Sequence, residues 1–188
     1  MKLPILLAGP ILRRTEPNQI TIWLATSSHF DIRSELYSIQ SSNPSSKTYD
    51  YKPIPHRCQA RTVKFGSALF IHLIQLKPIL THFPTDHLLG YNLSFTSDTR
   101  TVDLKDLGLL DSNHPNTIVY DRLAYPSFFI NRTQPTHIVY GSCRKLHGKG
   151  HDALASVDLQ VYENATHLKK RPGALFLMGD QIYADDVA

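Results

Sequence analysis

Cysteine is nearly absent: Cys58 and Cys143 are the only two in 188 residues. Two thiols allow at most one bridge, so no disulfide framework of the kind that staples small secreted domains is implied. The two also lie in segments of very different character. Long apolar runs are missing as well, and no stretch approaches the roughly 20 residues of a membrane span. The N-terminal MKLPILLAGPILRRTEPNQ holds a short apolar segment, but Pro4 and Pro10 interrupt it. It has no small-residue cleavage site, and polar residues follow Arg13-Arg14 where an export signal needs an apolar core. A cytoplasmic protein with no membrane partner is the default expectation, and the sequons at Asn92, Asn131 and Asn164 are then chance matches. Internal repeats and low-complexity tracts are absent too. So are long runs of like charge: the longest basic cluster is Lys169-Lys170-Arg171, without interleaved aromatics. The net charge of +4 and pI of about 9.1 therefore suit an anionic substrate as well as nucleic acid, and nucleic acid is not expected to be the partner.

What is present favours strands. The apolar fraction of 41% is that of an ordinary globular chain, and nine Tyr and eight Phe join many β-branched residues. QITIWL (19–24) and RSELYSIQ (33–40) alternate polar and apolar residues, the pattern of a strand with one buried face. RTVKF (61–65), ALFIHLIQL (68–76) and HLLGYNLSFTS (87–97) read the same way. SSNPSSKTYDYKPIP (41–55), rich in Ser and Pro, reads as a long loop, with Cys58 just beyond it in a Pro-rich segment. Trp23 is taken as a core anchor and His72 as a satisfied strand residue. Short strands between turns predict an antiparallel β-sandwich, of the immunoglobulin/fibronectin III-like kind.

The character changes between about residues 100 and 135, and we place the domain boundary at 125/126. TVDLKDLGLLD (101–111) is weakly helical. THIVYGSC (136–143) is a nearly continuous apolar run, as in the buried strands of mixed α/β sheets. HDALASVDLQVYENATHL (151–168) carries Leu154, Val157, Val161 and Leu168 near helical spacing, and GALFLMGD (173–180) is the next strand. Strand, helix, strand predicts a βαβ unit with parallel strands.

In such a unit both strands end on one edge of the sheet, where open α/β sheets bind ligands. Cys143 ends the first strand and Asp180 the second, with Tyr183 a short turn later. A thiol, a carboxylate and a phenol together suit a transition metal. Taken singly, each has a plainer reading. Cys143 is also a small buried hydrophobe, Asp180 a turn residue or cap, and Tyr183 a packed ring with its hydroxyl in water. Arg144 is equally a phosphate ligand and an ordinary surface arginine. His147 and His151 are spaced for a metal only on a helix, and Gly148 and Gly150 argue for a loop. The same GKG segment is too short for a phosphate-cradling P-loop.

IVYGSCR (138–144) followed by ALFLMGDQIYADD (174–186) resembles the alkaline phosphatase D (PhoD)-like metallophosphatases. AGPILRRTEPNQITIWLAT and LFIHLIQLKP are similar to strands of the β-sandwich that precedes the catalytic domain in that family. The resemblance implies a sandwich over 1–125 and the start of a metallophosphatase α/β domain over 126–188. It implies a phosphatase or phosphodiesterase acting on phosphate esters through a binuclear centre, Fe3+ with a second divalent metal such as Ca2+. Cys143 and Tyr183 would then be ligands of the iron, Asp180 the carboxylate bridging both metals, Arg144 a phosphate ligand, and Asp185 and Asp186 supports of the loop. The family draws its remaining ligands from later Asn and His motifs. The corresponding expectation is that these 188 residues are the N-terminal part of a longer protein and are inactive alone. The competing expectation is a sandwich that serves as a binding module, with a degenerate catalytic remnant attached.

Overall fold

The computed structural model of the chain describes residues 3–43, 48–133, 137–145 and 147–183. It divides into two compact units, Met1–Arg132 and Thr133–Ala188.

The first unit is built by alternation. Along β2 (Gln19–Thr26), Ile20, Ile22 and Leu24 are fully buried, and along β6 (Leu69–Pro78) so are Ile74 and Leu76. These strands pair antiparallel, flanked by β1 (Leu6–Glu16) and β5 (His56–Phe65), in the order β1-β2-β6-β5. The second sheet centres on β3 (Asp31–Asn43) and β7 (Leu88–Thr96), paired antiparallel, with β4 (Thr48–Pro53) on the outer edge of β3. The other edge of β7 is shared: Ser94–Thr96 pairs with β8 (Thr101–Asp103), and Leu88–Gly90 with β9 (Ser127–Phe129). Leu36, Leu89, Leu93 and Phe95 of this sheet join the β2 and β6 side chains in one core cluster. Two mainly antiparallel sheets thus bury their apolar faces against each other, as in a β-sandwich. Each fully buried Leu or Ile contributes about 1.5–3 kcal/mol of transfer free energy.

Several expectations change. Residues 48–53 form strand β4 rather than loop: Thr48, Tyr49 and Tyr51 are strand formers, and Tyr51 packs edge-on against Tyr37 and Tyr125 at 6.3 and 5.4 Å. The weakly helical 101–111 is a short strand and then turns. Asp103 accepts the N–H groups of Lys105 and Asp106 at 2.9 Å each, Asp106 accepts that of Asp103, and Gly108 at φ +76° lies within the turns. Trp23 is not in the core. Its neighbours Ile22 and Leu24 point inward, so the half-buried indole lies on the outer face of its sheet. Cys58 lies within β5, not in a loop, and is an exposed free thiol. In addition, β9 pairs with β7, and the first compact unit runs through Arg132. His72 is fully buried with both ring nitrogens hydrogen-bonded, the satisfied strand residue expected of it.

The second unit contains β10 (Ile138–Gly141), α1 (Leu154–Glu163) and β11 (Ala174–Leu177). The strands are parallel neighbours, Ile138 opposite Ala174 through Gly141 opposite Leu177. The helix is shorter than the expected 151–168. Ala153 takes the cap position without a side-chain cap bond, Asp152 just before it accepts the Leu154 N–H at 3.1 Å, and Asn164 ends the helix in a non-helical conformation. No described helix is long and apolar enough to cross a membrane.

Candidate metal centre

Parallel pairing carries the two strand ends to one edge, and backbone hydrogen bonds extend the contact past both strands. Met178 N–H donates to Gly141 at 2.8 Å, Cys143 N–H to Gly179 at 3.3 Å, and Arg144 N–H to Asp180 at 2.7 Å. Both turns are bent the unusual way. Cys143 has φ +57° and Asp180 φ +49°, with Gly179 at +107° between strand and acid. For a residue bearing a Cβ this conformation costs on the order of 1–3 kcal/mol, and such strain concentrates at functional sites. Here it turns both side chains toward one point.

The Cys143 thiol donates to Asp180 Oδ2 at 3.3 Å. The Tyr183 phenol lies within reach of the same sulfur, and interaction with the Cys143 thiol, then some burial and the neighbouring Asp180, push its pKa up to about 12. Thiol, carboxylate and phenol therefore form one contact cluster. A cation among these donors would reverse the direction at Tyr183, because a bound metal ion deprotonates coordinating thiols and phenols. As a donor set the three fit one corner of a transition-metal site, one soft ligand with two hard ones. Among the described residues no group of three or more His, Cys, Asp or Glu side chains is placed to hold a metal. Tyr183 is thus essential to the set, and Asp185 and Asp186 lie outside the described residues.

Arg144 is committed to a partner the sequence did not reveal. Its Nε lies 3.1 Å from both carboxylate oxygens of Asp152, and its Nη2 lies 2.6 Å from Oδ2. The Arg144 hydrogen bonds hold the Asp152 carboxyl below the usual carboxylate range, helped by the Leu154 N–H. The signal for Asp152 was its place between a Gly-bearing loop and a helical pattern, just before the helix start. A cavity of about 380 Å3 opens beside these groups, with Cys143, Arg144, Asp152 and Gln181 among the polar lining and Val139 and Leu175 among the apolar. His151 lines it as well, but both His147 and His151 precede α1 in non-helical chain, so the helical metal spacing does not arise.

A scan against protein-family models gives no match for the chain, and neither does a search of curated proteins.

Proposed function

We propose that the chain belongs to a metal-dependent phosphoric ester hydrolase of the PhoD-like kind, a sandwich followed by the opening unit of a metallophosphatase domain. The observation that carries the proposal is the 3.3 Å contact of Cys143 with Asp180 at the ends of adjacent parallel strands, with the Tyr183 phenol interacting with both. The strand orders β1-β2-β6-β5 and β4-β3-β7-β8 support an immunoglobulin/fibronectin III-like reading of the sandwich.

In this reading Cys143, Tyr183 and Asp180 would hold the metal ions, an iron and a divalent cation such as calcium. When bound, such a pair supplies Lewis acidity and charge for attack on a phosphate ester. The chain's own residues do the rest. The backbone clips at Cys143 and Arg144 fix the donor spacing before any ligand arrives, which lowers the cost of organising the site. Arg144, held by Asp152 on one side of its guanidinium, presents its remaining N–H groups to phosphate oxygens.

The test is phosphate binding to the iron-loaded chain, read by broadening of the 31P resonance of inorganic phosphate. Wild type should show iron-dependent broadening that Asp180→Asn abolishes. Arg144→Ala should weaken phosphate affinity by about 10- to 100-fold, the effect of a charge-assisted hydrogen bond. No iron-dependent binding in the wild type would refute the reading.

A further inference from the structure

The outer face of the first sheet carries an apolar patch that the core does not account for. Strand register lays Ile11, Trp23 and Leu73 in one row across three strands, ending at Arg61 on β5. The next row brings Ile71 beside Val63, and Phe65 lies beyond it. Ile11 (47% exposed) and Leu73 (41%) flank the half-buried Trp23 indole, and Val63 (55%) and Phe65 (54%) continue the apolar surface along β5. Single exposed apolar side chains are ordinary, but a contiguous patch around a tryptophan marks an interaction surface.

The charges on this face have one predominant sign. Arg61 closes the Trp23 row, and Arg57 and Lys77 stand opposite one another two rows further on. Arg14 is paired with Glu16 at 2.7 Å, which leaves Arg57, Arg61 and Lys77 to set the local potential. Arginine beside an aromatic centre is the composition of protein–protein interfaces, where lysine is depleted. Its planar fork matches carboxylates. A face-to-face twofold pairing of two copies would lay the basic side of one over either the Val63 and Phe65 end or the basic side of the other, and in both cases leave guanidinium groups without acceptors.

We propose that this face docks a protein partner whose surface has an apolar centre flanked by carboxylates. The proposal is independent of the metal site.

The experiment immobilises the full chain, identifies retained proteins, and measures binding of each purified candidate by calorimetry. Leu73→Asn and Arg61→Glu are the test variants. Both sites are solvent-facing, and unchanged circular dichroism confirms their folding. Leu159→Ser, on an exposed position of α1, is the control. The expected result is a purified acidic protein that binds with one-to-one stoichiometry, weakens with salt, and loses at least tenfold affinity in each test variant but none in the control. Exchanging one of the partner's carboxylates for lysine should restore binding to Arg61→Glu. Four results would each overturn the proposal. These are no retained protein, retention indifferent to the test variants, self-association lost in Leu73→Asn, or Leu73-dependent binding only to phosphatidylserine vesicles.

Discussion

Acid should loosen the sandwich through one histidine. His72 on β6 has no exposed surface, and its Nε2 and Nδ1 lie 2.8 and 2.9 Å from the hydroxyls of Thr26 and Thr62. Thr26 spends its own proton on the Ser28 carbonyl at 2.6 Å, so it accepts from His72 Nε2–H. By the same network Nδ1 carries no proton and accepts from Thr62. A second proton has no place without turning the Thr62 hydroxyl away. Burial, and then the nearby His29, bring the His72 pKa down from 6.5 to about 4. Between those values the unfolded chain holds the proton and the folded chain does not, so stability rises with pH. The contribution is complete above about pH 6.5 and lost as pH falls toward 4. At about 1.36 kcal/mol per pH unit it amounts to about 3 kcal/mol, of which about 2.5 is gone by pH 4.5. Asp103 does not blur this window. Despite its burial, the Asp106, Asn92 and Lys105 hydrogen bonds hold it below 3.8, so its own contribution fades only in stronger acid. The assay is urea unfolding at pH 7.5 and 4.5, followed by emission of Trp23, the sole tryptophan, on the strand that faces His72 across the register. His72→Gln should be weaker than wild type at pH 7.5 by about 1–3 kcal/mol through imperfect bonding, yet should lose about 2 kcal/mol less on acidification. If it falls as steeply as wild type between the two pH values, the reasoning is wrong.

Other consequences follow from packing and backbone geometry. Gly9 has φ +86°, and a Cβ there would lie 2.8 Å from the Trp23 carbonyl oxygen, so Gly9→Ala should cost more than about 2 kcal/mol in the same unfolding assay. Leu89, fully buried near the start of β7, should cost about 2–5 kcal/mol on replacement by alanine through the cavity it leaves, lowering the urea midpoint without changing the slope. Tyr51→Phe removes the acceptor of the Ala124 N–H at 2.8 Å; stability should drop by about 1 kcal/mol, and hydrogen exchange at Ala124 should quicken.

Much of this architecture is legible in periodicity, and the failures have definite causes. QITIWL announces its strand because Ile20, Ile22 and Leu24 alternate without interruption. The same alternation excluded Trp23 from the core, and the general tendency of tryptophan to be buried misled. Strand β4 was hidden because Ser and Pro dominate its surroundings, while the tyrosines that hold it act through Tyr37 and Tyr125, distant in sequence. Helix α1 begins at Leu154, whose N–H the Asp152 side chain accepts, and not at residue 151. The closeness of Cys143 and Asp180 could be foreseen, since a parallel pair with a helix between must bring both ends together. Their positive φ values and the Arg144–Asp152 pair depend on loop geometry that no pattern encodes. The apolar outer face of the first sheet likewise emerges only when Ile11, Trp23, Leu73 and Val63 are laid side by side by register.

The claim that Cys143, Asp180 and Tyr183 share one cation is tested most directly by titrating the chain with ferric iron from a weak chelate while recording its visible absorption. The account predicts a saturable phenolate-to-iron charge-transfer band near one equivalent. The band should be absent in Tyr183→Phe, and iron should bind far more weakly in Cys143→Ser and Asp180→Asn. No band in the wild type, or a band that survives Tyr183→Phe unchanged, would contradict it.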